Sequence, residues 1–221
     1  MARKIGSAGE RTDDDLRRTV ISISRHFETD TVFIIGSQSI LVDHPDAPAI
    51  MKASGEIDAY PGNIREWEAC HPNDLASEEI NAMFGFGSNF HGTFGFYIDG
   101  VDENTAKFPP GWDERATVKV VKDGEKNIRV IAPCLEDLIV SKLQRLDPKD
   151  EEFIRSCRQI QSLNVVLIKA RLEELTPEPD IFANACGFLD TLQKPNFCNL
   201  LQKPAGIRNA LWPAAGLAYR T

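Results

Sequence analysis

Two acids separated by one residue, Glu56 and Asp58, stand downstream of an apolar run, Val32-Phe33-Ile34-Ile35, that ends abruptly in Gly36-Ser37. Alternate residues of a strand share a face, so both carboxylates would project together. Like charges held that close repel one another, and a divalent cation relieves the repulsion. Mg²⁺ takes one or two carboxylates and fills its remaining positions with phosphate oxygens and water, which is the donor set offered here. A Gly-Ser turn that hands a strand over to a short helix presents a small hydroxyl and free backbone N–H groups to an anion. Bulkier residues would hold a triphosphate away from those amides. Gly36 and Ser37 for phosphate, with Glu56 and Asp58 for the metal, are the parts needed to hold a metal-bound nucleoside triphosphate.

Neither part is informative alone. The acid-x-acid spacing recurs at Asp13-Asp15, Glu28-Asp30, Glu66-Glu68, Asp123-Glu125, Asp150-Glu152 and Glu178-Asp180. Gly36-Ser37 by itself reads equally as a plain strand-to-helix turn, and no Gly-Lys-Ser/Thr follows to make it a Walker A loop. The order of the two, strand–Gly-Ser–helix and then acid-x-acid, carries the information. A second charged group, Lys142, Arg145, Lys149 and Asp150, has Lys142 and Arg145 one helical turn apart. Its plain reading is a helix end that complements the helix dipole. The glycine-rich segment holding Ser88, Asn89, Phe90 and His91 suits contact with a base or ribose, with His91 either transferring a proton or serving as a structural hydrogen-bond partner. Trp112 and Arg115 read as packing and surface residues, Arg115 being the one with the reach for a phosphate.

The elements that must position these groups follow from periodicity. Leu16, Val20, Ile23 and Phe27 predict an amphipathic helix over 13–27, opened by three acids. A strand over 31–35, a short helix from Ser37 to about Val42 and a strand over 55–60 follow. A helix is expected over 73–84, capped by Asn73 or Asp74, with Leu75, Ile80 and Met83 on one side. The run GFGSNFHGTFGFYIDGV predicts a loop and then a strand around Phe94–Ile98. Ala116–Val121 and Asn127–Ile131 predict a hairpin with a longer turn over Lys122–Lys126. Helices are expected over 135–146, from Pro148 to about Leu163 with Asp147 as cap, and over 165–175. The last thirty residues read as irregular, with LQKP occurring at 192–195 and again at 201–204. This order predicts an α+β fold, with a mixed-element core over 1–133 and a helical C-terminal region with an irregular tail over 134–221.

Bulk composition narrows the function classes. The 221 residues are 42% hydrophobic and 26% charged, a globular balance. No apolar stretch is long enough to cross a bilayer, and the N-terminal residues carry no apolar core of a secretory signal. Five scattered cysteines without a C-x-x-C pair, and four dispersed histidines, argue for a reduced, cytoplasmic protein without a zinc site. A net charge of −8 opposes non-specific binding to nucleic acid.

At this point the chain resembles the nucleotidyltransferase superfamily, and more closely its AbiEii-like branch, which includes toxins of toxin–antitoxin and abortive-infection systems. The resemblance rests on IIGSQSI at 34–40, SGEID at 54–58 and GFGSNFHGTFGFYIDGV at 85–101, and continues through FPPGWDERATVKV at 108–120 and APCLEDLIVSKLQRLDPKDEEF at 132–153. It implies a nucleotidyltransferase-like mixed sheet flanked by helices. Gly36 and Ser37 would hold the triphosphate, Glu56 and Asp58 would bind Mg²⁺, and Lys142 with Asp150 would belong to the site. The implied reaction moves a nucleoside monophosphate from an NTP to a hydroxyl, with RNA, a protein or a small molecule as acceptor. An antitoxin-like protein partner is a further expectation of the resemblance, and the irregular tail suits docking on a partner or on a second copy in a homodimer.

Two departures matter. Glutamate stands at the first acid, where the superfamily generally has aspartate. The third strand carboxylate has no obvious counterpart, Asp99 being the nearest. A member without turnover, binding nucleotide or a partner only, is therefore the alternative. A third option is a small aminated acceptor, which an acidic cleft beyond Asp58 would favour.

Overall fold

A capping box starts the first helix and an apolar stripe docks it. In the computed structural model, which describes residues 9–193, α1 spans Asp13–His26. The Thr12 hydroxyl accepts from the Asp15 backbone N–H, and the Asp15 carboxylate accepts from that of Thr12, satisfying donors that a helix start leaves unpaired. Leu16, Val20, Ile23 and Phe27 are buried beneath it.

Five strands, β1 (Thr31–Ile35), β2 (Glu56–Pro61), β3 (Tyr97–Gly100), β4 (Thr117–Asp123) and β5 (Lys126–Ala132), form one sheet in the order β3-β2-β1-β5-β4. The sheet is mixed: β1 runs antiparallel to β2 and parallel to β5, β2 is parallel to β3, and β4 is antiparallel to β5. Val32, Ile34, Ile57, Ala59, Ile98, Ile128 and Val130 are fully buried. By alternation Phe33, Ile35, Glu56, Asp58 and Tyr60 project from the opposite face. The chain leaves β1 through Gly36, a 3-10 turn at Ser37–Ser39 and two short helices, α2 (Ile40–Asp43) and α3 (Ala49–Lys52). Between β2 and β3 lie α4 (Ile64–Cys70), α5 (Ala76–Phe84) and α6 (Asn89–Phe94). After β5 come α7 (Leu135–Leu143), α8 (Pro148–Cys157), α9 (Val165–Glu174) and α10 (Pro179–Gln193), with α9 packed on α7 and α10 on α9. The fold is therefore α+β, with a helical C-terminal part.

Several local expectations are corrected by tertiary contacts. The helix expected from residue 73 begins at Ala76, whose N–H donates to Glu68 Oε1 at 3.0 Å; its first turn is capped from α4, not by Asn73 or Asp74. Ile80 is buried there, whereas Leu75 and Met83 are exposed. The glycine-rich run is a helix, not a loop, over Asn89–Phe94. Ser88 accepts the His91 N–H, Gly95 closes the helix in the left-handed region, and Phe90 is buried among the rings of Phe84, Phe94 and Phe96.

The β4–β5 hairpin is tighter than expected, since Asp123 pairs with Lys126 and leaves Gly124-Glu125 as the turn. The α8 helix stops at Cys157, short of Leu163. Residues 179–193, over which no separate helix is predicted above, form α10 because Ala185, Phe188, Leu189 and Leu192 share a buried face. The remainder of the tail, with the second LQKP copy, and the N-terminal residues 1–8 lie outside the described residues. No helix among the described residues is long and apolar enough to cross a membrane.

Candidate active site

Strand register builds one wall of carboxylates. Ile35 stands opposite Asp58 across the antiparallel β1–β2 pair, so the next residue, Gly36, comes up against the Asp58 side chain. A Cβ on residue 36 would lie 2.7 Å from Asp58 Cγ and would overlap its carboxylate. The backbone there is also left-handed, at φ +65°, so glycine is required twice over. On the other side of β2, the parallel β3 sets Tyr97 beside Glu56 and Asp99 beside Asp58. The Tyr97 hydroxyl donates to Glu56 Oε2. Burial, then the neighbouring charges of Glu56 and Asp99, push the Asp58 carboxyl up to about 7. Asp99 is raised as well, by burial and by Glu56.

The facing wall is cationic and satisfied. Lys142, on α7, is 8% exposed; its Nζ donates to Ser37 Oγ at 2.8 Å and to Asp150 Oδ1 at 3.1 Å and stands 4.5 Å from the centre of the Phe153 ring. Arg145 grips Asp150 with two bonds, Nε to Oδ2 at 2.8 Å and a terminal nitrogen to Oδ1 at 2.9 Å. Burial opposes ionisation of Asp150, but Arg145 and Lys142 outweigh it and hold the carboxyl below the usual range. Asp150 is placed by its own helix start, where the Asp147 carboxylate accepts the Asp150 N–H at 3.2 Å and Pro148 occupies the first turn.

Between the walls is a cavity of about 410 Å³, lined by Gly36, Ser37, Glu56, Asp58, Lys142 and Arg145 among others. Asp150 stands behind Lys142 and does not line it. Lys149 is exposed and also lies outside the lining. Sequence reasoning passed over Thr105, Ala106 and Lys107, which reach the cavity from the loop after β3, Ser141 on α7 and Gln144 at its C-terminal cap. Gln144 lies two residues from Lys142, and its Nε2 is buried without a hydrogen-bond partner among the described residues. The loop residues carry no comparable signal, because only chain tracing brings them there. Alternation puts Tyr97 and Asp99 on one face of β3, and the β2–β3 register makes it the face of Asp58.

Other candidates are engaged elsewhere. His91 Nδ1 accepts the Gly87 N–H at 3.0 Å, and its ring packs beside Phe86 and Tyr97. Arg115 is committed to the fully buried Asp137, which Arg171 also binds. Among the described residues no group of three or more His, Cys, Asp or Glu side chains is arranged to hold a metal ion. The pair Glu56 and Asp58 remains, hard oxygen donors suited to Mg²⁺ when phosphate and water supply the other positions.

A family model described as a nucleotidyltransferase of unknown function (DUF6036) matches residues 14–182. No curated protein and no solved structure matches the chain.

Proposed function

The chain belongs to that family of nucleotidyltransferases, and from this premise we propose that the cavity between β2 and α7 binds a nucleoside triphosphate and transfers its monophosphate to a hydroxyl, releasing pyrophosphate. One observation carries the reading: Gly36-Ser37, the Glu56/Asp58 pair and Lys142, far apart in sequence, line one cavity. Glu56 and Asp58 would hold Mg²⁺, which when bound offsets phosphate charge and stabilises the leaving group. Gly36 lets the phosphates approach the backbone, and Ser37 and the backbone amides beside it donate to them. Lys142 and Arg145 offset the charge that develops on the pyrophosphate, and Asp150 holds both cations in place. The acceptor oxygen bonds to the α-phosphorus as the bond to the β-phosphate bridge breaks. Asp99, beside Asp58 in the sheet, would take the hydroxyl proton.

The finer reading is an AbiEii-like, toxin-type enzyme in the cytoplasm, acting on RNA, a protein or a small molecule. An antitoxin-like partner and a homodimer belong to the same reading. Its support is the helix lysine, Lys142, tied to the aspartate of the following Lys149-Asp150 pair. The rival is a module that binds nucleotide or a partner without turnover, and it is favoured because Asp99, the nearest third carboxylate, does not line the cavity.

Calorimetry with and without Mg²⁺, on the wild type and on Glu56→Ala/Asp58→Ala, tests the site. Mg²⁺-dependent NTP binding that disappears in a folded double variant is the expected result. A folded wild type that binds no NTP would sink both the enzyme and the nucleotide-module readings. Growth arrest that persists in the double variant would remove catalysis from any toxic effect.

A further inference from the structure

Three cations line the candidate active site: Lys107, Lys142 and Arg145. Two of them reach the cavity already paired. Lys142 Nζ stands 3.1 Å from Asp150, and Arg145 Nε lies 2.8 Å from Asp150 and 2.9 Å from Asp147. On that wall two carboxylates answer two cations, so little net positive charge is left for a ligand. Lys107 differs. Among the described residues no carboxylate forms an ion pair with it and no group accepts a hydrogen bond from its side chain, which is exposed.

The root of this lysine is fixed although its ammonium is not. Asp102 locks the turn before it: its carboxylate accepts the Asn104 N–H at 2.7 Å, and its own N–H donates to Thr105 Oγ1 at 3.1 Å. Ala106 and Phe108, on either side of Lys107, pack against the core, and the Phe108 ring lies 4.7 Å from that of Trp112. The loop after β3 therefore holds a long, unpaired cationic side chain at the cavity from an anchored backbone.

A phosphate chain calls for such a group. Glu56 and Asp58 together match the charge of one divalent cation, so a metal held by them leaves much of the phosphate charge without a counter-charge. Lys142 and Arg145 share theirs with Asp150 and Asp147. A lysine ammonium is a compact charge with three donors on a flexible stem, which suits oxygens that point in several directions. Its hydrogen bonds to phosphate are of the strong, charge-assisted kind.

We propose that Lys107 binds the phosphate chain of the nucleotide, so that the site closes on its ligand from three elements: the strand wall, α7 and the loop after β3. The assignment rests on the nucleotide reading above and adds to it a residue that the chain leaves without a partner of its own.

The test is calorimetry in Mg²⁺ on the full chain, with ATP, GTP, CTP and UTP in turn and with inorganic tripolyphosphate, which has neither base nor sugar. Lys107→Gln is expected to weaken the best-bound NTP by about tenfold or more, and tripolyphosphate by a similar factor. Lys107→Arg should restore most of the affinity. Lys122→Gln, which removes an exposed charge outside the lining, should leave it unchanged. Lys107 is exposed, so its replacement spares the fold, and an unaltered melting temperature checks this. A wild type that binds NTP and a Lys107→Gln variant that binds it equally well overturn the assignment and leave the nucleotide reading standing. A loss matched in Lys122→Gln, or one confined to NTP while tripolyphosphate binds as before, also overturns it, the first pointing to the general field and the second to a base or ribose contact. A wild type that binds neither NTP nor tripolyphosphate removes the nucleotide reading and Lys107 with it. One that binds tripolyphosphate through Lys107 but no NTP removes the nucleotide reading alone.

Discussion

Asp58 lines the cavity half-buried, Asp150 lies buried behind the opposite wall, and the two titrate in opposite directions. Burial raises a carboxyl in each case. Asp150 receives hydrogen bonds from Lys142 and from both arms of the Arg145 fork, so its charge is stabilised within the fold. Asp58 instead faces Glu56 and Asp99, so folding adds repulsion to desolvation. The helical wall is thus complete without a ligand, whereas the strand wall holds charge that the chain itself does not neutralise. A ligand that brings counter-charge acts on the second kind of wall and is guided by the first.

The contrast breaks most severely at the satisfied wall. Asp150→Asn leaves Lys142 buried beside a neutral partner, and chemical denaturation should show a loss of about 3–5 kcal/mol. A loss under about 1 kcal/mol would mean that Asp150 does not hold the cationic wall together.

At the strand wall the sign reverses. The folded-state pKa of Asp58, about 7, lies above its ordinary 3.8, so the native protein keeps a proton that the unfolded chain has already lost. The Asp58 contribution to the stability of the metal-free wild type should therefore be full below about pH 4, fall as pH rises to about 7, and level off beyond, by on the order of 3 kcal/mol. Asp58→Asn should flatten that slope and be the more stable protein at pH 8. A wild type whose stability is level across this window would show that the strand wall is not frustrated.

A smaller effect isolates the close approach at the turn. Gly36→Ala meets both a left-handed backbone and the Asp58 carboxylate, and should cost about 2 kcal/mol. Gly124→Ala shares the positive φ but has nothing within 4 Å of the new Cβ, and should cost about 1 kcal/mol. Equal losses would mean that contact with Asp58 adds nothing. The smallest change is Tyr97→Phe, which removes the hydroxyl that donates to Glu56. It should lower stability by about 1 kcal/mol and weaken Mg²⁺-dependent NTP binding a few-fold. Unaltered NTP binding would confine Tyr97 to packing.

What the sequence determined by itself is whatever a local rule encodes. The 3.6-residue stripe Leu16–Val20–Ile23–Phe27 specifies α1, the apolar run before Gly36 specifies β1, and Asp147-Pro148 specifies the start of α8, because capping and amphipathicity act within a few residues. Alternation likewise puts Glu56 and Asp58 on one face before any partner strand is known. Tertiary structure alone decided which groups meet. Strand order and register set Asp99 beside Asp58 and Tyr97 beside Glu56. The packing of α7 against the first turn after β1 brought Lys142 to Ser37, 105 residues away. The loop after β3 carries Thr105–Lys107 to the same cavity. The physical reason is range: hydrogen-bond caps and side-chain periods are short-range and written in neighbouring residues, whereas burial and charge depend on neighbours that only the folded chain supplies.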